Sequence, residues 1–391
     1  MRVLTIKMDC CQTAITQLTI DGRDIHVEKT QSFLSYLGYT KIKNPDVYAA
    51  RVRQEVQKHF PLYKKSKLIL IVPPDFCEER FLRDPDLVKL AKEEGSPIKN
   101  FTMTGVGLGA MYLVTEKEAR QIDPLILAFC SQGLIPNFVV SPLYAAWKLT
   151  SMLIPQKEEM LIVHPTMQNL SYTLIKDGVP SITHFGEASI AGFISKLQQQ
   201  DIDEIKAMQM MVVFGVEPLE LTDSGFDYRE YPVQLVEGEV TEEPPKEKRG
   251  KKPKKEKPEK PKKEKSEKKR RKNQDINNFS LDDLSMTDMQ YETFNSGVNQ
   301  FSGELKTEIA LYLDDFKNGI RNFMVTADFV TDLNMRIHDC SDIAEYVLSI
   351  PSGMVLKGNG VQIHNQSLED LKTAQMLSIG AAFATYEIPE D

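Results

Sequence analysis

Apolar and polar residues alternate along Val3 to Met8, Ala14 to Ile20 and Ile25 to Gln31, and a second triplet follows at Leu161 to Val163, Leu170 to Ile175 and Val179 to Phe185. A period of two predicts half-buried strands. In each triplet an Asp-Gly pair separates the last two runs, in Leu18-Thr19-Ile20-Asp21-Gly22 and, 156 residues on, in Thr173-Leu174-Ile175-Lys176-Asp177-Gly178. Asp-Gly between such runs predicts a hairpin turn of type I′, which needs positive φ at both central residues. A helix is expected after each triplet. In the first, Asn44 is a candidate cap, Pro45 suits the first helical position, and Tyr48, Val52, Val56 and Phe60 recur every four residues; Ile190, Phe193, Ile194 and Leu197 form the second stripe. The apolar runs Lys67 to Val72 and Met210 to Phe214 then read as short parallel strands buried on both faces. The pattern predicts an α/β protein of two duplicated halves with a cleft between them.

Downstream, a polar stretch from Asn277 to Asn299 precedes an expected helix from Ser302 to Val325, striped by Leu305, Ile309, Leu313, Phe316 and Ile320. Ile343 to Leu348 is a further helix candidate. Met354 to Leu356 and Val361 to His364 flank Lys357-Gly358-Asn359-Gly360 and read as a hairpin, and Leu368 to Tyr386 reads as a helix rich in small residues, Ser378, Gly380, Ala381, Ala382 and Ala384. Small side chains let such a helix pack closely. Leu377, Ile379 and Phe383 would be an association hazard if this segment stood alone, so it is expected to pack back on the second half.

Charge divides the chain. Lys246 to Lys272 holds 17 Lys or Arg against 5 Glu, a local +12 within a net −8, so the rest carries about −20. Residues Thr241 to Gln274 are almost all Lys, Glu, Pro and Arg, a composition that cannot offset the entropy of ordering, and a disordered linker is expected. It reads as a solvated tether or as a strip for anionic lipid or nucleic acid. Cys10, Cys11, Cys77, Cys130 and Cys340 show no C-x-x-C spacing and read as reduced thiols. No apolar stretch approaches the roughly 18 residues of a membrane helix, and residues Met1 to Cys11 alternate like a strand instead of forming a leader, so a cytoplasmic chain, peripheral to a membrane through partners, is expected.

Met111-Tyr112-Leu113-Val114-Thr115-Glu116-Lys117-Glu118, then Gln132-Gly133-Leu134-Ile135-Pro136, then Ser141-Pro142-Leu143-Tyr144-Ala145-Ala146 give a strand, a helix, a Gly-Leu-x-Pro turn and a Pro-x-x-x-Ala helix start. Together with the duplicated unit, this order resembles the actin-like ATPase superfamily, with its ribonuclease H-like halves. Within it the chain is most similar to the type IV pilus protein PilM, the division protein FtsA and the cytoplasmic part of the secretion protein GspL. The resemblance implies a first half over 1–74 and 113–158, a small inserted domain over 75–112, a second half over 159–240, the basic linker over 241–300 and a C-terminal segment over 301–391. It also implies partners: an inner-membrane pilus or secretion protein, bound through a short cytoplasmic peptide, and a secretion ATPase. Phe76, Phe81, Leu82 and Phe101 are the apolar positions of the insert that would line such a groove, or fill the insert's own core.

The family's nucleotide loops are where the sequence departs. The first normally reads Asp-x-Gly, the Asp holding Mg²⁺ through water and the Gly letting backbone N–H groups approach phosphate. Here it reads Asp9-Cys10-Cys11-Gln12-Thr13, which keeps the carboxylate and loses the glycine. The second aligns with His164-Pro165-Thr166, with neither carboxylate nor glycine and one N–H fewer. The adenine-side glycine run aligns with Phe214-Gly215-Val216-Glu217-Pro218, where Gly215 alone remains. No cofactor is therefore expected; were ATP bound, Asp9 and Gly215 would hold it. Gly105-Val106-Gly107-Leu108-Gly109-Ala110 fits a dinucleotide fingerprint by spacing but precedes a strand, not a helix. His164 and His184 read as a packed pair across the second hairpin, Cys10 and Cys11 as one buried and one exposed thiol, and Trp147 as a core residue. The leading expectation is a catalytically inactive actin-like scaffold. The alternatives are a nucleotide-binding ATPase or sensor, and a nucleic-acid-binding protein using the basic strip, which its acidic body and lack of aromatics disfavour.

Overall fold

In the computed structural model the described residues are 1–8, 12–35, 37, 42–73, 76–82, 103–107, 110–116, 122–153, 160–165, 170–176, 178–187, 189–214, 286–316, 322–325, 352–358, 360–371 and 373–385. The first expected triplet forms β1 (Arg2–Met8), β2 (Gln12–Asp21) and β3 (Asp24–Leu34). Asp21 pairs with Asp24, so Gly22 and Arg23 make a two-residue turn. Only Gly22 has positive φ there, +57°, which places glycine at the first central position and departs from the expected type I′ turn. Helix α1 (Pro45–His59) begins with Pro45 as expected, but Asn44 itself adopts the left-handed conformation and its side chain caps nothing. Strand β4 (Lys67–Ile71) then lies parallel to β1, as the apolar run required.

A separate three-stranded antiparallel sheet follows, in the order β5 (Cys77–Leu82), β7 (Ala110–Glu116), β6 (Met103–Gly107). Its strands lie between β4 and α2 in the chain, and β7 runs on to Glu116, past residue 112, where the insert is expected to end. The glycine-rich run lies at the end of β6, and Gly107 pairs with Ala110 at the head of β7, so a hairpin and no helix follows the apparent fingerprint. Helix α2 (Asp123–Ser131) ends in a Schellman motif: Gly133 sits at φ +73°, its N–H donates to the Cys130 carbonyl and that of Leu134 to the Phe129 carbonyl. This is the Gly-Leu-x-Pro turn. Strand β8 (Phe138–Val140) joins β4 in parallel, and Ser141 Oγ accepts the Tyr144 N–H at the start of α3 (Pro142–Leu153).

The second triplet forms β9 (Met160–Pro165), β10 (Leu170–Lys176) and β11 (Val179–Gly186), and α4 (Ile190–Gln198) follows, capped by Ser189 Oγ on the Gly192 N–H. The duplication diverges here. Met210 to Phe214, expected as a strand, is the end of α5 (Glu204–Phe214), started by Asp203 Oδ1 accepting the Lys206 N–H. A five-residue apolar run does not distinguish buried strand from buried helix by periodicity; the cap upstream and the 11-residue length decide it.

The strand that lies parallel to β9 is β12 (Asn322–Val325), which the sequence pattern had placed inside a helix. The long helix α6 (Asp288–Phe316) starts 14 residues before the expected Ser302. Its start is a capping box: Thr287 Oγ1 accepts the Gln290 N–H while Gln290 Oε1 accepts the Thr287 N–H.

The predicted C-terminal hairpin is present as β13 (Val355–Gly358) and β14 (Val361–Asn365), with Gly360 at φ +80°. It adds to the first sheet, β14 lying parallel to β3, and α7 (Thr373–Ala382) packs on β1, β2, β4 and α3. The segment expected on the second half is thus shared: β12 completes the second sheet, and residues 352–385 join the first. The strand orders are β13-β14-β3-β2-β1-β4-β8 and β11-β10-β9-β12. Each contains the same antiparallel triplet with a parallel fourth strand beside its first, the actin-like plan in both halves. The main core lies in the first half, where Ile6, Val52, Ile69, Phe129, Tyr144 and Leu377 are among the fully buried residues. The 241–274 linker and the Ile343–Leu348 helix candidate lie outside the described residues.

Candidate functional site

In α/β sheets ligands gather beyond the carboxyl ends of parallel strands. Two connections of equivalent place start there, after Met8 at the end of β1 and after Pro165 at the end of β9. Asp9, Cys10 and Cys11 belong to the first connection and Thr166 to the second, all outside the described residues, as is Gly215.

The described rim of the first turn is polar and closely packed. Met8 pairs with Thr13, whose Oγ1 lies 2.8 Å from Ser35 Oγ and 2.5 Å from Tyr48 Oη. All three hydroxyls belong to buried residues, and the Tyr48 ring meets Phe129 edge-on at 6.1 Å. The network ties the start of β2 to the strand end after β3 and to the first turn of α1. Gln12, only 5% exposed, has a buried Oε1 with no hydrogen-bond partner. One strand pair inward, Lys7 is fully buried opposite Ala14 and Ile71, a cation inside a strand otherwise read as apolar. The alternation of Leu4, Ile6 and Met8 puts Lys7 on the opposite face with Thr5, so its burial, shared by Thr5, carried no signal in the sequence.

The second turn is built differently. Leu170 pairs with Pro165, so a residue without an N–H closes the strand where the family has a glycine-containing loop. His164 stands opposite Ser171 and His184 opposite Tyr172, consecutive positions of β10, so the register does not bring the two histidines opposite each other. Among the described residues no cluster of three or more His, Cys, Asp or Glu is placed to hold a metal ion. At the end of β9, Pro165 offers no backbone N–H and His164-Pro165-Thr166 holds no carboxylate.

Of the residues expected to line a partner groove, Phe76 is fully buried in the core of the first half, its N–H donating to the Pro73 carbonyl. Phe81 and Leu82 are on β5, in register with Tyr112 and Met111, and Phe101 is outside the described residues. Trp147 is buried as expected and does more than fill space: its Nε1–H donates to the Gly178 carbonyl at 2.8 Å, joining α3 to the β10–β11 turn. A second bridge between the halves is the Lys43–Glu204 ion pair at 3.5 Å. No described helix is long and apolar enough to cross a membrane.

No protein-family model and no curated protein sequence matches the chain. Among solved structures it is similar to a PilM-PilN type IV pilus biogenesis complex, at 10% identity and TM-score 0.46, over 98% of this chain and 95% of that one. It is also similar to the activator of the 2-hydroxyisocaproyl-CoA dehydratase from Clostridium difficile with bound ADPNP, at 8% identity and TM-score 0.38, over 100% and 99%. A third likeness is the cytoplasmic domain of EpsL, an inner-membrane component of the type II secretion system of Vibrio cholerae, at 8% identity and TM-score 0.29, over 48% and 72%. The chain's own strand order and register give two sheets with one plan, an antiparallel triplet with a parallel fourth strand beside its first.

Proposed function

We propose that the chain is a catalytically inactive actin-like scaffold of a type IV pilus or type II secretion machine, working at the cytoplasmic face of the inner membrane. The observation that carries the reading is the second loop: the fold places His164-Pro165 at the carboxyl end of β9, where the family's plan calls for a carboxylate and a glycine. A chain that keeps both halves of this architecture while losing the first loop's glycine and the second loop's carboxylate and glycine is retained for its surfaces. The proposed partners are an inner-membrane assembly protein offering a short cytoplasmic peptide, and the ATPase of the same machine; the PilM-PilN complex and EpsL's membership of an inner-membrane machine are consistent with the first. The insert's β5, with Phe81 and Leu82, is the proposed contact, and Lys246 to Lys272 would add attraction to anionic headgroups.

Affinity purification of the full chain from its own cells tests this. Recovery of inner-membrane pilus or secretion components, reduced by Phe81→Ala and Phe101→Ala in a folded protein, is expected. Partners retained in full by both variants would remove the insert from the proposal, and recovery of nucleic acid alone would overturn the scaffold reading. A second reading, a nucleotide sensor, has one observation in its favour, the buried, unpartnered Oε1 of Gln12, three residues after Asp9 in the chain.

A further inference from the structure

His26 on β3 and His364 on β14 stand opposite each other across the parallel pair that attaches the C-terminal hairpin to the first sheet. Their rings stack with centroids 4.5 Å apart and planes 19° from parallel. The Gln366 side-chain nitrogen lies 3.1 Å from His26 Nδ1, with the amide as donor and the ring nitrogen as acceptor, while His364 Nε2 is buried without a partner. Both features suit uncharged rings. A proton on His26 Nδ1 would set an N–H against the Gln366 amide, and a second positive ring would face the first at stacking distance.

We propose that this stack is an acid-opened clasp, holding the hairpin of residues 352–371 on the first sheet while at most one of the two rings is charged. On the same face by register are Asp24 on β3, Asp21 on β2, Arg2 on β1 and Lys357 on β13; Glu28 on β3 is taken up by Gln17 and Thr19 of β2, and the Arg23 guanidinium lies beside Gly360 at the hairpin turn. These carboxylates and cations balance, and two stacked imidazolium rings 4.5 Å apart would repel each other. Histidine takes up its proton in the range where cellular compartments and surfaces differ, between about pH 5 and 8. Loss of the clasp would free the Gln362 and Gln366 N–H groups, which donate to the Arg23 and Val27 carbonyls at 3.2 and 2.9 Å.

Hydrogen exchange on the full chain reads those two amides, with Leu161 to Val163 of β9 as the internal reference. Between pH 8 and pH 5, after correction for intrinsic exchange, their protection should fall about tenfold while the reference holds. In His364→Phe, which keeps a ring to stack and takes no proton, the fall should vanish; His26→Gln provides the same comparison if the first variant fails to fold. An unchanged native protection at pH 5, or an equal fall in native protein and both variants, would overturn the proposal.

Discussion

The two halves of this protein begin alike and are completed differently. In the first, 32 residues separate the end of β3 from the start of β4; in the second, β11 ends at Gly186 and β12 begins at Asn322, with α4, α5, the basic segment and α6 between them. The first sheet gains three strands beyond the shared plan, β8 and the C-terminal hairpin, and is sealed by α7. The second rests on helix packing. Phe193 of α4 stacks on Phe301 at 5.6 Å and meets Phe294 edge-on at 5.7 Å, both from α6, and Lys196 pairs with Glu304 at 2.9 Å. One half is closed by backbone fit against a continuous core, the other by an aromatic cluster delivered from a distant helix. A duplicated plan therefore fixes the strand order without fixing where in the chain each strand comes from.

That contrast can be broken most sharply at Gly380. A Cβ there would overlap the Ala145 carbonyl oxygen of α3 and reach the Leu149 N–H at 3.0 Å, all backbone that cannot step aside. Gly380→Ala should cost about 3 kcal/mol or more despite its better helix propensity, seen as a lower urea midpoint or as failure to fold. The matching change in the second half is Phe193→Ala, expected to cost about 3 to 4 kcal/mol and to expose the α6 amides to exchange before those of the first sheet. Equal loss of protection in both sheets would show that the halves unfold as one unit.

Two smaller effects sharpen the comparison. Trp147→Phe keeps the ring in the core and removes the hydrogen bond to Gly178, which joins the halves; a loss of about 1 kcal/mol is expected from denaturant titration. Gly297→Ala is the mild counterpart of Gly380→Ala. Its Cβ would meet Phe193 Cε2 at 3.0 Å, the edge of a side chain, and the helix gain of about 1 kcal/mol offsets the shift, leaving stability nearly unchanged.

Much of the first half was legible in the sequence because its elements are local: alternation set β1 to β3, Pro45 and the four-residue stripe set α1, and Gly133 marked the end of α2. The second half was legible only as far as its elements stayed local. Met210 to Phe214 gave no periodicity to separate helix from strand, and Asn322 to Val325 was hidden by the apolar stripe running on from α6. Thr287-Asp288-Met289-Gln290, the capping box that sets the start of that helix, was readable and passed over within a polar stretch. The destination of the C-terminal hairpin was not legible, since no local pattern says which sheet edge a strand joins. At the candidate site, the absence of a carboxylate and glycine from His164-Pro165-Thr166 was plain in the sequence, whereas the burial of Lys7, the hydroxyl network on Thr13 and the His26–His364 stack each depend on contacts between residues far apart in the chain.

Isothermal titration of the purified full chain with Mg-ATP, with released phosphate measured on the same samples, tests the scaffold account most directly. No saturable heat and no phosphate release above the protein-free rate are predicted. Saturable binding accompanied by turnover would contradict it, and loss of that turnover in Asp9→Asn would establish an active site at the end of β1.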